Sequence, residues 1–160
     1  MKKILIALDY NVTAPQIAET GYKLAKSMNA SVTLLHVTTD AVYYASRSYS
    51  PVLGFDTFSD LNILETTPVE EIKEAAQNYL DQLKLHLGDD SIQTLVEEGD
   101  TGECILEAAA AIHADIIVMG THSRKGINKI LIGSVAEKVL RHSTIPLYII
   151  PTKMFEDSQH

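Results

Sequence analysis

The stretch that decides the fold reads Asp115-Ile116-Ile117-Val118-Met119-Gly120-Thr121-His122. Its centre is a short apolar run without in-out alternation, which is typical of a strand covered on both faces. Similar runs occupy residues 4–8, 32–37, 92–96 and 147–150. With residues 116–119 as the fourth run, the sequence predicts five buried strands.

Three segments between these runs have a helical period. Apolar residues recur at spacings of three and four over residues 17–28, 69–83 and 105–112, which indicates one apolar face on each helix. Pro15 and Pro68 stand early in the first two helices, where a missing N–H is tolerated. Capping boxes are predicted at three helix starts, by the pairs Thr13 and Gln16, Thr67 and Glu70, and Ser134 and Glu137.

The alternation of strand and helix predicts a single doubly wound α/β domain over residues 1–152, with a parallel sheet between two helical layers. Residues 38–66 interrupt the alternation with a Tyr-, Ser-, Asp- and Thr-rich stretch. A connection of that length is typical of a mobile lid, a partner contact or a disordered segment, and its composition favours none of the three. Residues 153–160 form a polar tail that is expected to fray.

Composition excludes several classes of protein. The net charge of −8 disfavours nucleic acid as a partner, because a polyanion is repelled. No apolar run approaches the roughly 20 residues that cross a bilayer, so no membrane span is predicted. Cys104 is the lone cysteine and is expected to pack rather than react. Without a leader pattern or a disulfide framework, a cytoplasmic location is expected.

A polar, glycine-bounded segment follows the fourth predicted strand. Gly120 precedes a short loop, and Gly133 and Ser134 open the next helix, whose free N–H groups suit an anion. The charges between residues 120 and 142 are Arg124, Lys125, Lys129, Lys138 and Arg141 against Glu137, a local excess of 5 − 1 = 4 positive charges. The structural alternative is that the glycines shape turns and Ser134 caps its helix.

Other signatures are missing from the sequence. Neither G-x-x-x-x-G-K-[ST] nor G-x-G-x-x-G after the first strand occurs, which disfavours GTPases and dinucleotide dehydrogenases. There is no zinc-like spacing of His, Cys, Asp and Glu and no G-x-S-x-G elbow of a hydrolase. His36 is predicted to be a satisfied core histidine, and His122 is either a phosphate contact or an exposed turn residue.

The spacing Gly120-x2-Ser123-x9-Gly133-Ser134 resembles the G-x2-G-x9-G-[ST] adenine-nucleotide motif of the universal stress proteins. Residues 115–122 and 133–142 resemble the most recognisable stretches of that family, and residues 4–9, 30–37 and 98–100 agree with it. The resemblance spans about residues 2–151, apart from the 38–66 segment.

The resemblance implies a five-stranded sheet of order 3-2-1-4-5, a homodimer through Leu147–Ile150, and ATP or another adenine nucleotide between strands one and four. Asp9 would bind ribose or adenine and Val37 would hold adenine through its backbone. Gly120 would border the ribose and phosphates. The implied site is completed by residues near the strand ends and the glycine loop: Ala7, Leu8, Met119, His122, Ser123, Arg124, Gly133, Ser134 and Val135. Mg²⁺ would ride on the phosphates with help from Asp9.

Two positions keep alternatives open. Ser123 stands where the family motif has its second glycine, so its side chain would either crowd a phosphate or donate to one. Asp9 would otherwise cap the loop before the first helix. The implied function is a regulatory binding module in a stress response, with no catalytic residue. A slow ATPase or phosphotransferase, or a dimeric scaffold that Ser123 leaves without nucleotide, are the alternatives.

The last predicted strand lies between Pro146 and Pro151. Such a strand is expected at a sheet edge, and an apolar edge invites pairing. Self-association about a two-fold axis would cover it, which favours the same homodimer.

Overall fold

The computed structural model describes residues 1–39, 68–121 and 132–156. Strands and helices alternate, and each predicted strand is present. The elements are β1 Lys3–Ala7, α1 Ala14–Ser27, β2 Ser31–Thr38, α2 Pro68–Leu87, β3 Gln93–Glu98, α3 Thr101–Ala111, β4 Ile116–Gly120, α4 Ser134–His142, β5 Leu147–Ile150 and α5 Lys153–Glu156. Apart from Thr38 and Thr39, the long 38–66 segment lies outside the described residues, and its role as a lid stays a prediction.

The strands form one parallel sheet of order β3-β2-β1-β4-β5, which confirms the doubly wound α/β fold. Ile6 of β1 pairs with Leu34 on one side and with Val118 on the other. The strand order reverses between β1 and β4, and in open α/β sheets a ligand crevice lies beyond the carboxyl ends at that point. The topology therefore indicates where a site would lie.

Burial follows position in the sheet. The side chains of β1 at Ile4, Leu5 and Ile6 are fully buried, as expected of a central strand. The prediction of a strand covered on both faces is wrong for β3, whose residues are half-buried or exposed, and holds only in part for β5, where Tyr148 is exposed. Both are edge strands, where fewer neighbouring residues cover each side chain.

Two helical layers cover the two faces of the sheet. On one face α1 and α2 pack through Ile17 and Leu80 against Ile4, Ile6 and Leu34. On the other face α3 and α4 pack against the sheet through a second cluster that includes Leu5, Leu35, Ile117, Cys104 and Val139. Cys104 is a buried free thiol, and burial raises its pKa, which agrees with the predicted packing role.

Two predicted capping boxes are wrong. Thr13 has helical backbone angles and makes no side-chain cap on α1; its N–H and Oγ1 donate instead to Asn11 Oδ1 at 3.0 and 2.9 Å. Ser134 is already the first residue of α4, and the extended residue before it is Gly133, with φ −59° and ψ 158°. Either residue suits a helix start, so the pattern could not choose between them. Thr67 lies outside the described residues.

The predicted polar tail is described as far as residue 156. It begins with the single turn α5, Lys153–Glu156, and Phe155 packs against the α1 and α2 layer. Fraying of the tail stays a prediction, and residues 157–160 lie outside the described residues. In the described ranges, no helix combines the length and apolar character needed to cross a bilayer.

Candidate functional site

A cavity of about 770 Å³ opens beyond the carboxyl ends of β1, β2 and β4. This is the switch point of the sheet, where the sequence predicted a site. Eight of the twelve predicted site residues line it: Ala7, Leu8, Asp9, Val37, Met119, Gly120, Gly133 and Val135. The chain therefore brings together residues that lie more than 120 positions apart.

The other four predicted residues have different outcomes. Ser134 is among the residues lining a neighbouring cavity of about 730 Å³ and not among those described for the first. The two cavities share Thr39, Thr101 and Val135. His122, Ser123 and Arg124 lie outside the described residues, so their predicted contacts stay untested.

Asp9 caps the loop before the first helix, which is the structural alternative to ligand binding. Its Oδ1 accepts a hydrogen bond from the backbone N–H of Asn11 at 2.9 Å, which fixes the turn after β1. Asn11 Oδ1 in turn accepts hydrogen bonds from Thr13, so the side chains of Asp9 and Asn11 both stabilise this loop. Asp9 also lines the cavity, and the two roles are compatible because a carboxylate has two oxygens.

The rings of Tyr10, His36 and Tyr79 meet beside the end of the cavity that Asp9 lines. Tyr10 and His36 have ring centroids 4.2 Å apart, and Tyr79 of α2 lies 4.9 Å from Tyr10 and 5.9 Å from His36. The Tyr79 hydroxyl donates to the carbonyl oxygen of Asp9 at 2.6 Å. Tyr10, His36 and Tyr79 are here called the aromatic cluster. Their contacts join α2 and β2 to the loop after β1.

His36 is 4% exposed, and its Nδ1 lies 2.8 Å from the carbonyl oxygen of Leu8. The prediction of a satisfied core histidine is confirmed. Burial lowers the pKa of His36, and this outweighs the opposing effects of the Leu8 carbonyl and the Asp9 carboxylate. Burial, followed by the charge of Asp9, raises the pKa of Tyr79 to about 12. Both rings are therefore neutral near neutral pH.

Gly120 is a position of close approach. A Cβ there would collide with Ile17 Cδ1 and lie 3.0 Å from Thr152 Cγ2. Thr152 is held against the end of β4, because its N–H donates to Thr121 Oγ1 at 3.2 Å and its hydroxyl donates to the Thr121 carbonyl. A side chain at this position would force the buried Ile17 and Thr152 to shift, so packing favours glycine here.

The start of α4, which belongs to the helical layer on the other face of the sheet, forms a second end of the cavity. Gly133 has no side chain to cap the helix, so no side-chain cap bond forms there. The first-turn N–H groups of a helix lack intrahelical partners and carry a partial positive charge. Gly133 and Val135 line the cavity at this end, which makes it suitable for an anion.

Lys138 joins α4 to the start of α3. Its Nζ lies 2.9 Å from Asp100 Oδ1 and 3.5 Å from Glu103 Oε1. Asp100 also caps α3, accepting from the Glu103 N–H at 3.0 Å. The pKa of Asp100 is lowered by that backbone hydrogen bond first and by Lys138 second. Gly102 leaves room for the lysine stem, since a Cβ there would lie 2.9 Å from Lys138 Cδ.

This pairing changes the interpretation of the local positive charge. Lys138 is neutralised by carboxylates of α3, and Arg141 pairs with Glu137 at 2.7 Å. A count along residues 120–142 missed the partners of Lys138, because they come from elsewhere in the sequence. Of the described residues that line the first cavity, none is a lysine or an arginine.

Many lining residues were not predicted: Tyr10, Asn11, Ile17, Leu35, Thr38, Thr39, Ile72, Ala75, Thr101, Ile105, Ala136 and Thr152. Five of them, Ile17, Ile72, Ala75, Ile105 and Ala136, are apolar residues on helix faces, whose period predicts burial but not which cavity they border. Tyr10 follows Asp9 directly, so its position just after the first strand could have indicated that it lines the cavity. The contact of Tyr10 with Tyr79 has no local signal in the sequence.

Metal-binding capacity is limited in the described ranges. No group of three or more His, Cys, Asp and Glu side chains there could hold an ion. Asp9 is the one carboxylate among the described lining residues of the first cavity. A single carboxylate fits an Mg²⁺ ion that takes its other ligands from phosphates and water, and does not fit a resident metal held by protein alone.

An open parallel sheet with a cavity at its switch point and a glycine-started helix at one end defines the class, a doubly wound α/β protein. The sequence model of the universal stress protein family matches residues 1–151. The chain belongs to the universal stress protein family.

Relatives cover nearly the whole chain. Universal stress protein MJ0577 of Methanocaldococcus jannaschii is 30% identical over 156 residues, covering 95% of this chain and 96% of its own length. Stress response protein NhaX of Bacillus subtilis is 30% identical over 166 residues, covering 92% and 96%. The solved structure of MJ0577 superposes with a TM-score of 0.68 at 27% identity, covering 94% of this chain and 95% of the other.

A further universal stress protein, solved in complex with cAMP, has a TM-score of 0.59 at 18% identity, covering 94% of this chain and 97% of the other. At that identity the likeness shows the fold alone.

Proposed function

We propose that the cavity at the switch point binds an adenine nucleotide, with ATP as the first candidate, and that the protein is a regulatory binding module of a stress response. The observation that carries the proposal is the cavity itself, with eight of the residues implied by the family motif around it. Its location in the cytoplasm stays a prediction from sequence.

The two ends of the cavity differ in the way that the two halves of a nucleotide differ. The aromatic cluster, with Ile72 and Ala75 of α2, offers a largely apolar surface for a base. The start of α4 offers backbone N–H groups for phosphates. Asp9 is proposed to bind the ribose and Val37 to hold adenine through its backbone.

A related fold solved with cAMP is consistent with an adenine nucleotide. Because that likeness shows the fold alone, the proposal for this chain depends on the cavity and on the motif residues. The volume of about 770 Å³ lies within the usual range of small-molecule sites, about 300–1,000 Å³.

We propose a binding module rather than an enzyme because of where the titratable groups lie. Those among the described lining residues are Asp9, Tyr10 and His36, all at the end assigned to base and ribose. None comes from the start of α4, where a base for phosphate transfer would have to act. Mg²⁺ would enter with the phosphates.

Titration calorimetry with ATP, ADP, AMP and cAMP, each with and without Mg²⁺, tests the proposal. We expect saturable binding of at least one adenine nucleotide and a concentration-dependent rise in melting temperature, because a ligand of the folded state stabilises it. Gly133→Val should weaken binding, since a branched side chain obstructs the approach to the helix start. A folded wild-type protein that binds none of these nucleotides would reject the proposal.

We also propose a homodimer through β5, Leu147–Ile150. β5 is an edge of the sheet, and Tyr148 is 42% exposed there. Two further apolar side chains, Ile132 and Leu140, are exposed before and on α4. Such an edge is normally covered or paired.

Sedimentation equilibrium tests the dimer. Tyr148→Lys should shift wild-type dimer to monomer, because it places a like charge twice at a two-fold interface. Leu85→Lys is the matched control, since Leu85 is an exposed apolar residue of α2 away from β5. A monomeric wild type, or a dimer that Tyr148→Lys leaves intact, would contradict the proposed interface.

A further inference from the structure

The tautomer of His36 follows from its single described hydrogen bond. Nδ1 lies 2.8 Å from the Leu8 carbonyl oxygen, which can only accept, so Nδ1 carries the proton. Burial lowers the pKa of the ring, so it is neutral near neutral pH. In a neutral imidazole with a protonated Nδ1, the other nitrogen, Nε2, is a hydrogen-bond acceptor.

The surroundings hold this ring in place. Tyr10 and Tyr79 pack against it at 4.2 and 5.9 Å between centroids. The Tyr79 hydroxyl donates to the Asp9 carbonyl, and the His36 ring donates to the Leu8 carbonyl. The loop after β1, together with β2 and α2, therefore orients the His36 ring. Turning the ring would give up the bond to Leu8 in a position that is 4% exposed.

We infer that His36 is a specificity-determining residue of the proposed nucleotide site, whose Nε2 favours a purine that carries an exocyclic amino group over one that carries a carbonyl at the same position. This inference rests on the proposed function. The family resemblance implies that the backbone of Val37 holds the base, and this inference adds a side chain that recognises it.

The chemistry of the two purine types separates them. The amino group of adenine donates a hydrogen bond, and the carbonyl of guanine or hypoxanthine accepts one. His36 lines the cavity, and an acceptor held rigidly in this wall would pair with the first and repel the second. Sites built around such a fixed polar group discriminate strongly, because the mismatched ligand leaves a buried group unpaired.

Calorimetry on the wild-type protein with three triphosphates tests this without any substitution. The ligands are ATP, inosine triphosphate, in which a carbonyl replaces the amino group, and purine riboside triphosphate, in which hydrogen replaces it. We expect purine riboside triphosphate to bind about tenfold more weakly than ATP, the effect of one hydrogen bond, and inosine triphosphate more weakly still. Equal affinity for ATP and purine riboside triphosphate would overturn the inference.

A pair of substitutions sharpens the assignment to His36. In His36→Asn the amide nitrogen takes over the bond to the Leu8 carbonyl but nothing stands at the Nε2 position. We expect its preference for ATP over inosine triphosphate to fall to near unity while both still bind. His36→Gln, whose longer amide reaches the Nε2 position, should restore part of the preference.

The outcomes separate the two proposals. If the wild-type protein binds no nucleotide, the proposed function fails and this inference fails with it. If it binds adenine and hypoxanthine nucleotides equally, only this inference fails. If folded His36→Asn keeps the wild-type preference, the backbone of Val37 and not His36 selects the base, which also overturns it.

Discussion

The two ends of the cavity are built in opposite ways. At the aromatic end, Asp9 and Asn11 hold the loop, and Tyr79 and His36 bind backbone carbonyls of that loop and of Leu8. At the other end, α4 begins at a glycine that offers no side-chain cap. The described hydrogen bonds of the first end are made within the protein, whereas the second end offers helix N–H groups that Gly133 has no side chain to cap.

This difference teaches where stability and binding reside. Groups that are bonded within the protein contribute to folding whether or not a ligand is present. Helix-start donors contribute little to folding but gain a strong partner when an anion arrives. Substitutions at the aromatic end should therefore reduce the free energy of unfolding, and substitutions at the start of α4 should change affinity.

The largest effect is expected at Gly120, which lies between the two ends. Gly120→Val should reduce the free energy of unfolding by about 3 kcal/mol, because its side chain collides with Ile17 and Thr152. Met119→Leu, on the same strand and of similar volume, is the control and should cost about 1 kcal/mol or less. Urea denaturation measures both. A Gly120→Val protein as stable as the control would show that the approach of α1 is not as close as described.

Gly133→Asp should separate binding from stability by changing them in opposite directions. The carboxylate can cap α4, which is expected to raise the free energy of unfolding by up to about 1 kcal/mol. The same negative charge should weaken ATP binding by about tenfold or more, since it occupies and repels the anion site. Gly133→Asn is the neutral control. An affinity that Gly133→Asp leaves unchanged would remove the start of α4 from the phosphate site.

Tyr79→Phe tests the aromatic end. Loss of the hydroxyl leaves the Asp9 carbonyl without this donor, and the free energy of unfolding should fall by about 1 kcal/mol. Tyr22→Phe is the matched control, because the Tyr22 hydroxyl donates to Asp89 at 2.8 Å in a bond that does not involve the cavity. We expect both variants to lose stability in thermal melts, and only Tyr79→Phe to lose ATP affinity as well.

The smallest effect is expected from the titration of His36. Because its pKa is lowered in the folded protein, the unfolded chain takes up a proton at higher pH, and the free energy of unfolding falls as the pH is lowered. Between about pH 7.5 and pH 5.5 the wild type should lose more stability than His36→Asn, since the reference pKa of histidine is about 6.5. Asp100, whose pKa is also lowered, contributes only at lower pH. Parallel curves for the two proteins would contradict the neutral state of His36.

The fold was largely predictable from sequence, because it depends on local patterns. The apolar runs identified β1, β2 and β4 as buried strands and correctly placed the partly buried β5, and the period of three and four identified the helices. The strand order came from the resemblance to the family, since periodicity alone does not order strands. The edge position of β3 follows from that order and not from its own apolar run, so the run alone overestimated its burial.

The site was predictable only in part. Asp9 and Gly120 follow from the ends of strands, where topology brings them together, and Val37 follows only from the resemblance to the family. The contact of His36 with Tyr79 and the bond from Lys138 to Asp100 join residues far apart in sequence, and no spacing predicts them. The error at Ser134 has a local cause: Gly and Ser both suit a helix start, and only the backbone angles distinguish them.

Thr152 has a consequence for the order in which the site is made. It lines the cavity and is fastened to the end of β4 through Thr121. During synthesis Asp9 leaves the ribosome long before Thr152 does, so a growing chain carries one wall of the cavity while the opposite wall does not yet exist. A ligand therefore cannot be enclosed until residue 152 has been synthesised, and a product that stops before Thr152 would fold around an incomplete site.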